Sequence, residues 1–173
     1  MSLKNKKIVL PGGSGYIGRH LSRHFVAKGY DVVVLSRSEG ELSDCLRYVW
    51  WDGANLDAWA NEIDGADVVI NLSGRSINCR YTKKNRQQIY DSRENSTQVV
   101  GEAITQAKEP PRVWLNASAA TIYRHSLDRD MDEATGELQY VEPGRPKDKW
   151  EFSVDVVNRW EEALFNADTS STR

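Results

Sequence analysis

Cysteine is scarce in this sequence: two in 173 residues, Cys45 and Cys79, 34 positions apart. That is neither a disulfide framework nor a zinc-ligand spacing. No apolar run approaches the roughly 20 residues that span a bilayer. No charged-then-apolar leader ends at a small-residue cleavage site, so secretion is not expected. Excess charge of one sign is lacking too: 23 Lys and Arg stand against 25 Asp and Glu, a formal net charge of −2. Such a balance argues against nucleic acid or anionic membrane as a partner. Internal repeats and low-complexity linkers are absent. What remains is a protein of a reducing, cytoplasmic compartment, of a length that suits one domain better than two. Counted with glycine and without tyrosine, apolar residues make up about 42% of the chain, enough for a core with little to spare.

What is present alternates in character along the chain. Ile8-Val9-Leu10 reads as a short buried strand and runs directly into Gly12-Gly13-Ser14-Gly15, with room only for a tight turn. Ile17, Leu21 and Phe25 recur at four-residue steps, the mark of one apolar helix face, and Gly29 closes that helix. Asp31 to Ser36 contains Val32-Val33-Val34-Leu35. Apolar residues on consecutive positions mean a strand covered on both faces, as in parallel sheets. Tyr48–Trp51, Val68–Leu72 and Val113–Ala117 add three strands, the last entered from the Pro110-Pro111 stop. A long polar helix is predicted over Thr82–Lys108, with Ile89, Val99, Val100 and Ile104 as its apolar positions. A last helix over Lys149–Asn166 carries Phe152, Val156, Trp160, Ala163 and Leu164 on one stripe. Alternation from end to end predicts an α/β fold: a doubly wound parallel sheet in three α/β/α layers, strand order 3-2-1-4-5. The charged segment Arg124–Lys149, with Pro143 and Pro146, reads as a long functional loop or a disordered one.

The sharpest local signal is Gly12-Gly13-Ser14-Gly15-Tyr16-Ile17-Gly18, between the first strand and the first helix. It satisfies both GxxGxxG and GxGxxG. Glycine serves a turn with positive φ, a close approach of backbone to pyrophosphate, and tight packing of helix on strand. The freed N–H groups and the helix dipole then hold phosphate. A bare packing turn can use three glycines as well, but here the strand before and the helix after are both in place. No Lys follows the glycines, which excludes a nucleoside-triphosphate P-loop. At the end of the second strand an NAD site wants an acid for the ribose hydroxyls; this chain has Ser36-Arg37. A hydroxyl and a guanidinium suit a 2′-phosphate, so NADP is the expected cofactor.

These motifs, with Trp51-Asp52 after the third strand, Asn71-Leu72-Ser73-Gly74 after the fourth and Ala117-Ser118-Ala119 after the fifth, resemble an extended short-chain dehydrogenase/reductase. More narrowly, Asp91-Ser92-Arg93, the Asn-Leu-Ser-Gly stretch and Arg159-Trp160-Glu161 resemble the nucleoside-sugar-epimerase-like "epimerase family". The likeness spans nearly the whole chain. It implies an NAD(P)-binding Rossmann domain over residues 1–173 that lacks the C-terminal substrate-binding region of such proteins. It implies that Gly12 to Gly18 (Gly12, Gly13, Ser14, Gly15, Tyr16, Ile17, Gly18) cradle the pyrophosphate. Asp52 would accept from the adenine amino group with Trp51 nearby. Leu72, Ser73 and Gly74 would line the ribose and pyrophosphate side, followed by Ala117 and Ser118 at the end of the fifth strand. Ser118 stands at the place of the family's catalytic-region serine and is the residue expected to polarise a substrate oxygen.

Departures from the pattern matter as much. Pro11 stands where related proteins usually carry Thr, so a bond bracing the turn is missing. The Tyr-x-x-x-Lys pair of the wider family is absent, and alignment on Trp160-Glu161 puts Ser153 and Val157 at its two positions. Tyr123 is the substitute acid to consider, against a structural aromatic. His20 and His24 at i, i+4 lack a third ligand, so no metal site is expected. Lys83-Lys84-Asn85-Arg86 reads as surface, the six tryptophans as core, with Trp150 the one suspected of touching substrate or partner. The resemblance implies an NADP(H)-dependent epimerase- or dehydratase-like oxidoreductase acting on a sugar nucleotide or related carbonyl substrate, and a homodimer through the two later helices. The rival is a non-catalytic NADP-binding sensor or scaffold.

Overall fold

The computed structural model describes residues 6–40, 43, 45–169 and 171–173. In chain order the elements are β1 (Lys7–Pro11), α1 (Tyr16–Ala27), β2 (Asp31–Ser36), β3 (Leu46–Trp50), β4 (Val68–Asn71), α2 (Lys83–Gln106), β5 (Val113–Asn116) and α3 (Lys149–Phe165). Single 3-10 turns lie at Ala58–Glu62 and Ala120–Ile122. All four strand pairings are parallel, in the order β3-β2-β1-β4-β5. The doubly wound sheet expected from the sequence is the one observed.

The alternation of strand side chains explains the two cores. Val9, Val33, Leu35, Val69 and Trp114 point to one face, where they meet Val99, Val100, Ala103 and Ile104 of α2 together with Trp51, Trp59 and Ile63. Ile8, Leu10, Val32 and Val34 point to the other and are covered by Leu21, Phe25 and Val26 of α1. β2 is buried on both faces, the physical cause of its uninterrupted apolar run.

One helix-face expectation fails. Leu21 and Phe25 pack on the sheet, but Ile17 is 62% exposed. At 100° per residue, Ile17 and Phe25 stand about 80° apart around the helix, and Ile17 lies in the first turn, beyond the end of β1. The long loop after the second 3-10 turn is ordered by specific bonds. Tyr123 bridges Leu138 in antiparallel fashion, Arg124 N donates to Glu137 O (2.8 Å), and Arg124 and Arg129 both pair with the Glu137 carboxylate. Asp155 on α3, buried, anchors the loop's far end by accepting from Gly144 N (3.1 Å) and from the Tyr90 hydroxyl (2.5 Å). Along the outer edge of β5, Arg173 N donates to Arg112 O (3.1 Å) and Trp114 N to Arg173 O (2.7 Å), one step of parallel-strand pairing.

Candidate functional site

The sheet's carboxyl edge is where parallel α/β folds place ligands, and the glycine turn crosses it. Gly12 has φ +71°, and a Cβ there would stand 2.8 Å from the Ser73 backbone. At Gly13 it would stand 2.7 Å from Leu10 Cβ, and at Gly18 2.2 Å from Gly13 O. The chain's own packing therefore demands glycine at these three. Gly15 is different: its φ is ordinary (−71°), and the nearest atom to a Cβ there would be Gly12 O at 3.7 Å. No described residue requires glycine at Gly15, and the space beside it is open. Gly15 is also the N-cap of α1, with no side-chain cap and no acidic residue in the first turn. The helix's first N–H groups and positive dipole end face that space. Ser14 is half-buried, whereas Tyr16 and Ile17 are exposed.

The opposite wall comes from β4. Leu72 N donates to Pro11 O (2.8 Å), tying β4 to the turn. Ser73 is buried beside Gly12, its N bonded to Asn71 Oδ1 (3.1 Å), but its Oγ has no partner among the described residues. An orphaned buried hydroxyl is costly, and a polar ligand group at the turn would satisfy it. Gly74 lies against the guanidinium of Arg93, whose atoms come within 3.3 Å of where its Cβ would be. Arg93 donates to Arg75 O (3.2 Å) and Ile89 O (3.1 Å) and stacks over Trp160 at 5.0 Å. No carboxylate pairs with it among the described residues, and burial holds its pKa below the ordinary value. The resemblance motif contained Arg93, but nothing in the sequence marked it as a half-buried cation beside Gly74, without a carboxylate partner among the described residues. Open turn, orphaned hydroxyl and half-buried cation together fit the diphosphate of a dinucleotide.

The remaining positions vary in what they offer. Ser36 is buried with its Oγ 3.3 Å from Ser38 Oγ and accepting from Ser38 N, while Arg37 is exposed. Asp52 accepts from Ala54 N, Asn55 N and Asn55 Nδ2 at 2.8, 2.9 and 2.6 Å. The Asn55 side-chain amide, then the two backbone donors, hold its pKa below the usual carboxylate range. The Trp51 ring belongs to the core, 3% exposed and edge-on to Trp59 at 5.3 Å.

At the β4–β5 end, Ala117 N donates to Asn71 O (2.9 Å), and a buried polar cluster lies beneath. Asn71 Nδ2 donates to Asn116 Oδ1 (2.7 Å) and Thr97 Oγ1 (3.3 Å), and Trp160 Nε1 donates to Thr97 Oγ1 (3.1 Å). The sequence reading missed this cluster. Its one legible trace is an Asn at the last position of each of two neighbouring strands, Asn71 opposite Asn116. Ser118, exposed, donates its hydroxyl to Glu161 Oε1 (2.5 Å). Tyr123 is half-buried with its ring under Gly136. Ser153 donates to Lys149 O (3.1 Å), and Val157 is 3% exposed. His20 faces Tyr16, Nδ1 to O at 2.9 Å, and Arg86 of the basic run stacks over Phe152 at 4.6 Å.

Residues 8–146 match the model of the NAD dependent epimerase/dehydratase family, and the chain belongs to that family. An epimerase family protein of Staphylococcus saprophyticus is 33% identical over 169 residues, 97% of this chain and 52% of the relative. The Bacillus subtilis epimerase family protein YfhF is 37% identical over 139 residues, 78% of this chain and 45% of the relative. A crystal structure of the human epimerase family protein SDR39U1 (isoform 2) with NADPH superimposes with a TM-score of 0.76 at 27% identity, over 96% of this chain and 51% of that one. The chain thus spans about half the length of the curated relatives it matches.

Proposed function

We propose that this member of the family binds NADP(H) along the carboxyl edge of its sheet, as the nucleotide-binding part of an epimerase- or dehydratase-like oxidoreductase acting on a sugar nucleotide or related carbonyl compound. One observation carries the reading: no described residue crowds the Cβ position of Gly15, beside the uncapped start of α1. The human relative, whose crystal structure contains NADPH, supports it. The nicotinamide, when bound, exchanges hydride with a substrate carbon bearing oxygen.

The chain's own groups would bind and orient. The N–H groups of the turn and of the first turn of α1 hold the phosphates, the Ser73 hydroxyl gains its missing partner, and Arg93 neutralises charge beside Gly74. Ser36 and Arg37 present a hydroxyl and a guanidinium where an NAD site would present an acid. Ser118 meets the substrate as an acceptor. The Ser118 hydroxyl donates to the Glu161 carboxylate, so its oxygen takes a hydrogen bond from a substrate hydroxyl, where the resemblance implies that it polarises a substrate oxygen.

Calorimetry with NADP+ and NAD+ tests the reading. NADP+ is expected to bind more tightly, and Arg37→Asp to reverse the order; absence of binding by either nucleotide would overturn the proposal. A second reading, a cytoplasmic NADP sensor or scaffold, is favoured by Ser153 and Val157 at the usual Tyr and Lys positions, one bonded to its own helix and the other buried. Turnover of NADPH with a panel of carbonyl compounds and sugar nucleotides separates the two.

A further inference from the structure

Between positions 75 and 93 the sequence carries six Lys and Arg against one acid, Asp91. None of the six forms an ion pair among the described residues, whereas Arg47, Arg124, Arg129, Arg145 and Arg159 all do. Within this segment Arg75, half-buried in the connection from β4 to α2, is held at three points. Its N–H donates to Ser92 Oγ (2.9 Å), and its carbonyl accepts from Arg93 Nη1 (3.2 Å). Its own Nη1 donates to Asn85 O (3.3 Å) and Asn85 Oδ1 (3.0 Å). Main chain and guanidinium are therefore both fixed against α2. The Nε and Nη2 donors have no partner among the described residues. Ordering a long side chain costs rotamer entropy, and with no counter-charge nearby the free protein gains no ion pair from it. Arg75 is thus ordered in advance of any anion, which lowers the entropic cost of gripping one.

The place of this guanidinium names what the anion belongs to. With the pyrophosphate at Gly15 and the adenosine toward the ends of β2 and β3, the other half of a dinucleotide runs to the ends of β4 and β5. There the Arg93 guanidinium stands against Gly74 and donates to Ile89 O (3.1 Å). The Arg75 guanidinium sits on Asn85, in the first turn of α2 and one helical turn (about 6 Å) away from Ile89. Arg93 covers the cofactor end of this stretch, and Arg75 the end displaced from it. We infer that Arg75 grips an oxyanion, carboxylate or phosphate, carried by the substrate, and is a specificity-determining residue that favours anionic carbonyl compounds. The inference rests on the nucleotide-binding reading above and deepens it by naming the substrate class. The Nε–Nη2 edge presents two parallel charged donors, spaced for two oxygens of one carboxylate or phosphate. The unpaired positive charge of the surrounding segment draws such a group in.

The test uses the full chain with saturating NADP+ and three probes of one shape: glucose 6-phosphate, glucuronate and neutral glucose. Each is titrated by NMR into wild type, Arg75→Ala and Arg75→Lys, and NADP+ itself is titrated into all three by calorimetry. In wild type at least one anionic probe is expected to bind about tenfold or more tighter than glucose, and the tighter of the two tells phosphate from carboxylate. Arg75→Ala is expected to lose that tenfold preference while its NADP+ affinity stays within about twofold. Arg75→Lys keeps the charge without the fork, and so retains part of the preference. Anionic probes no tighter than glucose in wild type, or an unchanged preference in Arg75→Ala, overturn the inference and leave the nucleotide site standing. An equal loss for NADP+ also overturns it, since Arg75 would then serve the cofactor. Wild type that does not bind NADP+ fails the underlying reading itself. Melting curves check folding, and Arg75→Gln, which keeps an amide donor for Asn85, carries the test if the Ala variant unfolds.

Discussion

The two halves of the sheet's carboxyl edge are built on opposite plans. Around β1, α1 and β2 the surface is made of backbone: four glycines, an uncapped helix start and a cleft left open. Around β4, β5, α2 and α3 it is made of side chains already bonded to one another: Asn71, Thr97, Asn116 and Trp160 below, Ser118 with Glu161 above. The first half is shaped to receive a partner, while in the second the Asn71–Thr97–Asn116–Trp160 network fixes where the strand ends stand and leaves the Ser73 hydroxyl at its border without a partner among the described residues. A buried polar network rigidifies only when every member is paired, so the two halves should respond differently to substitution.

The strongest contrast lies within the glycine turn. Gly18→Val drives a side chain into the Gly13 backbone, which cannot yield as a flexible side chain would; a loss of ~3 kcal/mol or more is expected in urea denaturation, up to failure to fold. Gly15→Val enters open space, so its melting temperature should stay close to wild type while NADPH fluorescence shows binding reduced by about a hundredfold or more. Equal destabilisation by both variants would erase the distinction between a packing glycine and a ligand glycine.

Next comes the bonded half. Thr97→Val keeps the shape but leaves Trp160 Nε1 without its acceptor, at a cost of about 1–3 kcal/mol in denaturation with little change in nucleotide affinity. A large affinity loss with unchanged stability would mean the network is part of the binding surface. The smallest effect is expected at Tyr90→Phe, about 1–2 kcal/mol at neutral pH, because Asp155 then keeps only the Gly144 N–H. Burial, and after it the bond to Asp155, push the Tyr90 pKa well above its ordinary value. The folded state thus favours the protonated phenol. That stability is complete below about pH 10, the unfolded value, and is lost as pH rises above it. Denaturation at pH 8 and pH 11 should show the decline in wild type and a shallower one in Tyr90→Phe.

The same contrast governs what could be read in advance. The glycine turn is legible because its requirements are backbone requirements, and glycine is the one residue that meets them. The continuous valines of β2 were legible because burial on both faces leaves no polar alternative. The bonded half was not, since Asn71, Thr97, Asn116 and Trp160 are separated by up to 89 positions and become partners only when β4 and β5 align. Trp51, too, was read beside the adenine, yet a residue one step past a strand end turns inward or outward according to what waits below it; here Trp59 does.

Strand order, layer count and the place of the glycine turn were set by local pattern, because apolar periodicity and glycine act over a few residues and the right-handed crossover does the rest. Which glycine has open space at its Cβ position, where the half-buried Arg93 faces, and that the Ser118 hydroxyl donates to Glu161 were decided by the tertiary structure alone. Those are distances between segments far apart in the chain, and the packing of helices against both faces of the sheet determines them.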